Sequence, residues 1–150
     1  SLLAAIELGK RVYAPGPQKG AVVDDPSVAA AAFSQSLMWE SQEKFGVLHL
    51  DIKHRIIGRK IVTVGTATET LAHPREVFRS AVQKGCARIV VAHNHPSSAL
   101  EPSAEDLALT RQLLEGGKVL GIAVLDHLIL SNGEYRSLRQ TTSLWSDAEH

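Results

Sequence analysis

The run Ala87-Arg88-Ile89-Val90-Val91-Ala92 leaves the chain few folds to choose from. It has strand length, and its apolar residues do not alternate with polar ones, so both of its faces must be covered. A sheet covered on both sides by helices is an α/β arrangement. The flanking segments supply the covers. Asp25-Pro26 reads as a helix start with proline in the first turn, running to about Leu37. Pro74 to Gln83 reads as a helix closed by Gly85, and Ser103 opens another that Gly116-Gly117 is expected to end. Further strands are expected at Phe45 to Leu50, Arg55 to Val64, Ile122 to Leu125 and His127 to Leu130. Asp51 to His54 reads as a hairpin turn, and Asn132-Gly133 as a turn leading into Tyr135. The order β-β-α-β-α-β-β predicts a mixed sheet with helices packed against it.

At 150 residues and 16.2 kDa, one core suffices. A chain of this size buries roughly 70% of its unfolded surface and needs no disulfide or structural metal. We divide it into residues 1–33, an N-terminal helical segment (SLLAAIELGKRV) and linker (PGPQKG), and a main domain over residues 34–150. With 44% apolar and 21% charged residues, wholesale disorder is excluded. No apolar run approaches the ~20 residues of a membrane helix, and no signal-peptide pattern is visible. The lone cysteine, Cys86, rules out an internal disulfide or a multi-thiolate zinc site and fits a reducing cytoplasm, the expected location. Sixteen basic residues balance sixteen acidic ones, so net charge does not point to nucleic acid.

Chemistry concentrates just after the apolar run. His93 and His95 leave the strand two residues apart and so share a face, while Asn94 points to the other. Ser103 and Asp106, three apart in a first helical turn, share a face as well. A short loop from Pro96 can fold that helix start back over the strand end. Two imidazoles and one carboxylate would then meet, a ligand set that zinc takes. Three protein ligands leave a fourth position for water, the arrangement of catalytic sites.

Each residue also has an ordinary explanation. Ser103 with Asp106 is an S-x-x-D capping box, and a single histidine at a strand end is commonly a hydrogen-bonded core residue. The full string H-x-H-P-x6-S-x2-D, however, fixes five positions over fourteen residues, which packing alone does not require. The nucleobase-deaminase zinc pattern pairs H-x-E with P-C-x-x-C. Cys86 stands alone and precedes the histidines, so that pattern fails.

The string resembles the signature of the JAMM (MPN+) metalloproteases, most closely their bacterial RadC branch. The resemblance rests on His73-Pro74-Arg75-Glu76, on AHNHPS (Ala92 to Ser97), on EPSAED (Glu101 to Asp106) and on LDHLIL (Leu125 to Leu130), covering about residues 40–140. It implies an α/β sandwich on a curved mixed sheet flanked by helices, layered as in cytidine deaminases. It implies that His93, His95 and Asp106 bind Zn2+ and that Ser103 helps stabilise an oxyanion. The family also uses a glutamate in an E-x-x-G-x-L setting; Glu43 with Gly46 and Leu48 fits, and Glu40 does not. Such a carboxylate takes a proton from the attacking water and passes it to the leaving amine. Where RadC relatives usually read HPSG, this chain has Ser97-Ser98, a change in the loop that touches no ligand.

The expected function is therefore a zinc-dependent hydrolase acting on a peptide or isopeptide bond of a peptide or protein substrate. RadC proteins are linked to DNA repair, which gives a second reading: a nucleic-acid-associated module or a metal-dependent nuclease. A third reading is a metal-binding scaffold without turnover. His127, beside Asp126, reads either as an orienting partner for the ligand histidines, a role also open to Asn94, or as an ordinary sheet histidine. Cys86 reads as a packed thiol. Lys53, His54, Arg55, Arg59 and Lys60 around one hairpin could make weak phosphate contacts, or simply block edge pairing.

Overall fold

A computed structural model describes residues 19–62, 73–97 and 99–148. Its elements are α1 (Pro26–Phe33), a π-helical turn (Ser34–Met38), β1 (Phe45–Leu50), β2 (Ile56–Val62), α2 (Pro74–Lys84) and β3 (Arg88–Asn94). They continue with α3 (Ala104–Leu120), β4 (Ala123–Ser131), β5 (Glu134–Ser137), α4 (Leu138–Thr141) and α5 (Leu144–Ala148). The five strands form one mixed sheet in the order β2-β1-β3-β4-β5. β3 and β4 are parallel, joined through α3, and the other neighbours are antiparallel.

The apolar run sits at the centre of this sheet, as its composition requires. Ile89 and Val91 face a core shared with Phe45, Val47, Val77, Phe78, Leu109, Leu113 and Trp145, which places α2, α3 and α5 on that side. Val90 and Ala92 face the opposite core, with Leu48, Leu128, Ala29, Phe33 and Leu37, which places α1 and the π-helical turn on the other side. Each large apolar side chain buried here contributes roughly 1.5–3 kcal/mol, and the double cover explains the six buried residues of β1. The boundary drawn at 33/34 falls where α1 runs directly into the π-helical turn. The helix-like run before the Pro/Gly linker lies outside the described residues.

Local rules account for the ends of the elements. The Asp25 side chain caps α1 at the Ser27 amide, 2.8 Å away. The Asp51 carboxylate ties the β1–β2 turn by accepting from the amides of Lys53 and Arg55, both at 2.9 Å. Gly46 lets α1 and the π-helical turn close on β1: a Cβ there would lie 2.8 Å from Phe33 Cε1 and 3.0 Å from Leu37 Cδ1.

Two expectations are corrected. The glycine pair Gly116-Gly117 does not end α3, which runs on to Leu120 and is closed by Gly121 at φ 71°. Both glycines are there for close approach: a Cβ on Gly117 would lie 2.4 Å from the Ile122 carbonyl oxygen, and one on Gly116 2.7 Å from the Phe78 ring. The two strands expected at 122–125 and 127–130 are one, β4, with Asp126 inside it. Asp126 is tolerated because its carboxylate is fully engaged, by the amides of His127 and Arg139 and the hydroxyl of Ser137. The short helices α4 and α5 carry no long periodic pattern and were not expected. The predicted end of the second strand, residues 63–64, lies outside the described residues.

Candidate metal centre

The site forms where the C-terminal end of β3 meets the N-terminus of α3. His93 is the penultimate residue of β3, paired with Phe45 on β1 and Ile129 on β4. His127 pairs with Val91, so it lies two positions from His93 on the adjacent strand and on the same face. Phe45 stacks on the His93 ring at a centroid distance of 6.1 Å and meets His127 edge-on at 5.8 Å. His95 follows the strand end, held by its own amide to Leu130 O (2.9 Å) and by Ser131 Oγ donating to its carbonyl (2.7 Å).

The S-x-x-D pair forms a capping box and also builds the site. Ser103 Oγ accepts from the Asp106 amide at 3.1 Å, and Asp106 Oδ2 accepts from the Ser103 amide at 2.8 Å. Held this way, the Asp106 carboxylate presents Oδ1 3.2 Å from His93 Nε2 and Oδ2 3.3 Å from His95 Nε2. The capping reading is borne out, and the same cap sets the Asp106 carboxylate beside both histidines. Burial alone would raise the Asp106 pKa, but the two imidazoles and the Ser103 amide outweigh it and hold the group well below the ordinary carboxylate range.

Proton positions around the histidines follow from their partners. Thr110 Oγ1 lies 2.7 Å from the Asp106 carbonyl oxygen and 2.7 Å from His127 Nδ1. A carbonyl can only accept, so the single hydroxyl proton goes to it and His127 Nδ1–H must donate to Thr110. His127 Nε2 is then an acceptor, and His93 Nδ1, 2.9 Å away, donates to it. That leaves His93 Nε2 as a bare lone pair. His95 Nδ1 likewise donates to the Ala99 carbonyl at 2.8 Å, so its Nε2 is bare in the neutral ring. The two Nε2 atoms face each other at 2.8 Å, against a carboxylate. Three acceptors converging at this range need a cation between them, either a proton or a metal ion. Their chemistry, two imidazole nitrogens and a carboxylate, fits a divalent ion such as zinc. Hydrogen bonding to Asp106 raises the His95 pKa against the effect of burial, while burial pushes that of fully enclosed His127 well down.

Glu43 stands in the segment before β1, half-buried, and presents an oxygen that lies within 4.8 Å of the ligand nitrogens of His93 and His95. Two carboxylates therefore approach the histidines, and they differ. Burial raises the Glu43 pKa against the pull of both histidines, whereas Asp106 is fixed and strongly acidic. Either carboxylate can join the two histidines at an ion: Glu43, His93 and His95 form one group close enough to share it, and Asp106 touches both imidazoles as well.

Asn94 points to the opposite face, as strand alternation predicts, and its side chain bonds to neither His93 nor His95. Its side chain accepts from the Lys44 amide (2.6 Å) and donates to the carbonyls of Gln42 (2.8 Å) and Glu40 (3.2 Å). It therefore fixes the turn that carries Glu43. Thr110 was missed from the sequence. Its only signal was its place one helical turn after Asp106, on the same face of α3.

The basic hairpin residues do not form one surface. Arg55 pairs with Asp51 at 2.8 Å, and Arg59 donates to Ala32 O on the α1 side. Lys60 is the next residue along β2 and so projects toward α2. Cys86 is buried, as expected of a packed thiol.

Comparison with known proteins places these residues in a family. The chain is 60% identical over 147 residues to a UPF0758 protein of Acaryochloris marina, and 59% identical to one of a Cyanothece species. It is 56% identical to a UPF0758 protein of Trichodesmium erythraeum. Each alignment covers 98% of this chain and 60% of the relative, so the chain spans about three fifths of the length of the curated relatives it matches. The model of the RadC-like JAB domain matches residues 23–143, taking in every candidate site residue. The chain belongs to the RadC-like JAB domain family.

Proposed function

We propose that this domain is a zinc-dependent hydrolase that cleaves an amide bond, peptide or isopeptide, in a peptide or protein substrate. The observation that carries the reading is the convergence of two bare Nε2 atoms and the Asp106 carboxylate, with a second, less acidic carboxylate beside them. His93, His95 and Asp106 hold the ion. When bound, zinc supplies the Lewis acidity that makes water a usable nucleophile near neutral pH. Glu43 accepts a proton from the attacking water and returns it to the leaving amine, a task suited to a carboxylate whose pKa burial has raised. Ser103 Oγ accepts from the Asp106 amide, which leaves its own proton free to donate to an oxyanion forming beside the cap. His127 and Thr110 keep His93 in the tautomer that binds metal, and Asn94 holds the Glu43 segment.

No observation favours the nuclease or nucleic-acid reading. It needs a basic groove running up to the histidines, and two cations of the segments around them are paired with acids. Lys44 pairs with Glu40 at 3.3 Å, and Arg136 with Glu101 at 3.0 Å. Among the described residues no helix is long and apolar enough to cross a membrane, and the buried lone thiol suits a reducing cytoplasm. The test is to load the protein with zinc and screen peptides, isopeptide-linked peptides and single- and double-stranded nucleic acids, with Glu43→Gln as the control. Amide cleavage that falls about 100-fold or more in Glu43→Gln is the expected result. Cleavage of nucleic acid alone would overturn the proposal.

A further inference from the structure

A second cluster of basic groups lies away from the metal centre, where α2 crosses β1 and β2. His49 projects from β1 into the interior and is 4% exposed. Its Nε2 lies 3.1 Å from Ser80 Oγ, whose own proton goes to the Val77 carbonyl at 2.8 Å. Ser80 must therefore accept from His49 Nε2–H, and Nδ1 is left buried, with the Gly58 backbone near it but no well-formed hydrogen bond. Unpartnered buried polar atoms are uncommon enough to need a reason.

The surroundings supply one. His49, Gly58, Lys60, Ser80, Gln83 and Lys84 line a cavity of about 260 Å³, with Arg59 at its rim. No carboxylate lines it. The nearest acid on α2, Glu76, is one turn from Ser80 and lines the adjoining cavity, where Arg75 and Arg79 stand 4.0 Å from its carboxylate. Neither Lys60 nor Lys84 makes an ion pair among the described residues. Gly58 keeps the floor open: a Cβ there would lie 2.9 Å from Lys84 Cε, 3.3 Å from His49 Nδ1 and 3.4 Å from Lys84 Nζ. Two lysines at the wall of this cavity repel one another and oppose protonation of the buried imidazole, and an anion seated between them would remove both effects.

We propose that this pocket binds a phosphate group, with Lys60 and Lys84 neutralising its charge and His49 Nδ1 donating to one of its oxygens. With the anion present, His49 takes up a proton and donates from both nitrogens, to Ser80 and to the ligand. The pocket has room for one phosphate and its waters, not for a nucleic-acid duplex. It lies on the same sheet face as His93 but about 13 Å down β1, four residues from Phe45, so occupancy does not depend on metal.

The experiment is a calorimetric and NMR titration of the full chain at constant ionic strength. The titrants are inorganic phosphate, a nucleoside 5′-monophosphate, and chloride as the control anion. Saturable binding of phosphate, of the monophosphate, or of both is expected, with the His49 ring signals moving. Similar affinity for the two identifies free phosphate as the ligand, and a clear preference for the monophosphate identifies a phosphorylated metabolite. Lys60→Gln with Lys84→Gln, both at solvent-accessible positions, should weaken binding at least tenfold while zinc stoichiometry and the folded spectrum stay unchanged. Gly58→Val, which fills the floor, should abolish it. No saturation, equal responses to chloride and phosphate, or unaltered affinity in the double variant would overturn the proposal.

Discussion

Replacing Thr110 by valine removes one hydroxyl and nearly preserves shape. In the wild type that hydroxyl accepts from His127 Nδ1–H, which makes His127 Nε2 an acceptor and leaves His93 Nε2 bare. In Thr110→Val the ring of His127, fully buried, has two options. It can keep its proton on Nδ1 without a partner, at a cost of about 1–3 kcal/mol. Otherwise it can move the proton to Nε2. His93 must then accept at Nδ1 and carry its proton on Nε2, the atom a metal needs. Metal binding has to overcome one state or the other, so affinity for zinc should fall about 10–100-fold, since ~1.4 kcal/mol is a factor of ten. Competition against a chromophoric chelator measures this directly, and 15N shifts of the imidazoles report the tautomers. Thr110→Ser keeps the hydroxyl and should bind zinc as the wild type does. Wild-type zinc affinity in Thr110→Val, with the His127 tautomer unchanged, would refute the proton order.

Other expectations concern the supports of the site and the core. Asn94→Ala should lower turnover while leaving zinc stoichiometry near one, because it releases the Glu43 turn without touching a ligand; metal analysis beside a rate measurement checks it. Gly117→Ala should destabilise the domain by about 1–3 kcal/mol in urea melts, since its Cβ would lie 2.4 Å from a backbone oxygen that cannot move aside cheaply. Stability should also fall on acidification in phosphate-free buffer. His49 is held at about 4, below its usual 6.5, by burial and then by Lys84 and Lys60. The unfolded chain therefore binds the extra proton between those values, so stability is full above pH 6.5 and declines toward pH 4, by on the order of 3 kcal/mol. His127 adds to the effect in the same direction. A flat profile in denaturant titrations from pH 7 to 4.5 would contradict this assignment, and His49→Gln should make the profile shallower.

The sheet was legible in the sequence because its central strands are buried on both faces and have no polar alternation to confuse the reading. The histidine site was legible because strand period and helix period each place two residues on one face, and a short loop joins them. What escaped notice depends on contacts distant in sequence. Gly116-Gly117 looks like a helix end locally, but the packing of Phe78 and the Ile122 carbonyl against α3 makes it a mid-helix contact. Asp126 looks like a break between strands, and only Ser137 at the end of β5 and Arg139 just after it show how it stays inside one. Asn94 was placed on the correct face, yet its task, holding residues 40–44, is set by partners about fifty positions away. Thr110 could not be separated from any other helical threonine until His127 was seen beside it.

In the proposed site the two carboxylates have different tasks, Asp106 holding the ion and Glu43 moving the proton. Zinc content per chain, measured by elemental analysis on wild type, Glu43→Gln and Asp106→Asn purified alike, tests this most directly. About one zinc in the wild type and in Glu43→Gln, with loss from a still-folded Asp106→Asn, is the predicted result. Zinc lost from Glu43→Gln and kept by Asp106→Asn would make Glu43 the ligand and contradict the assignment.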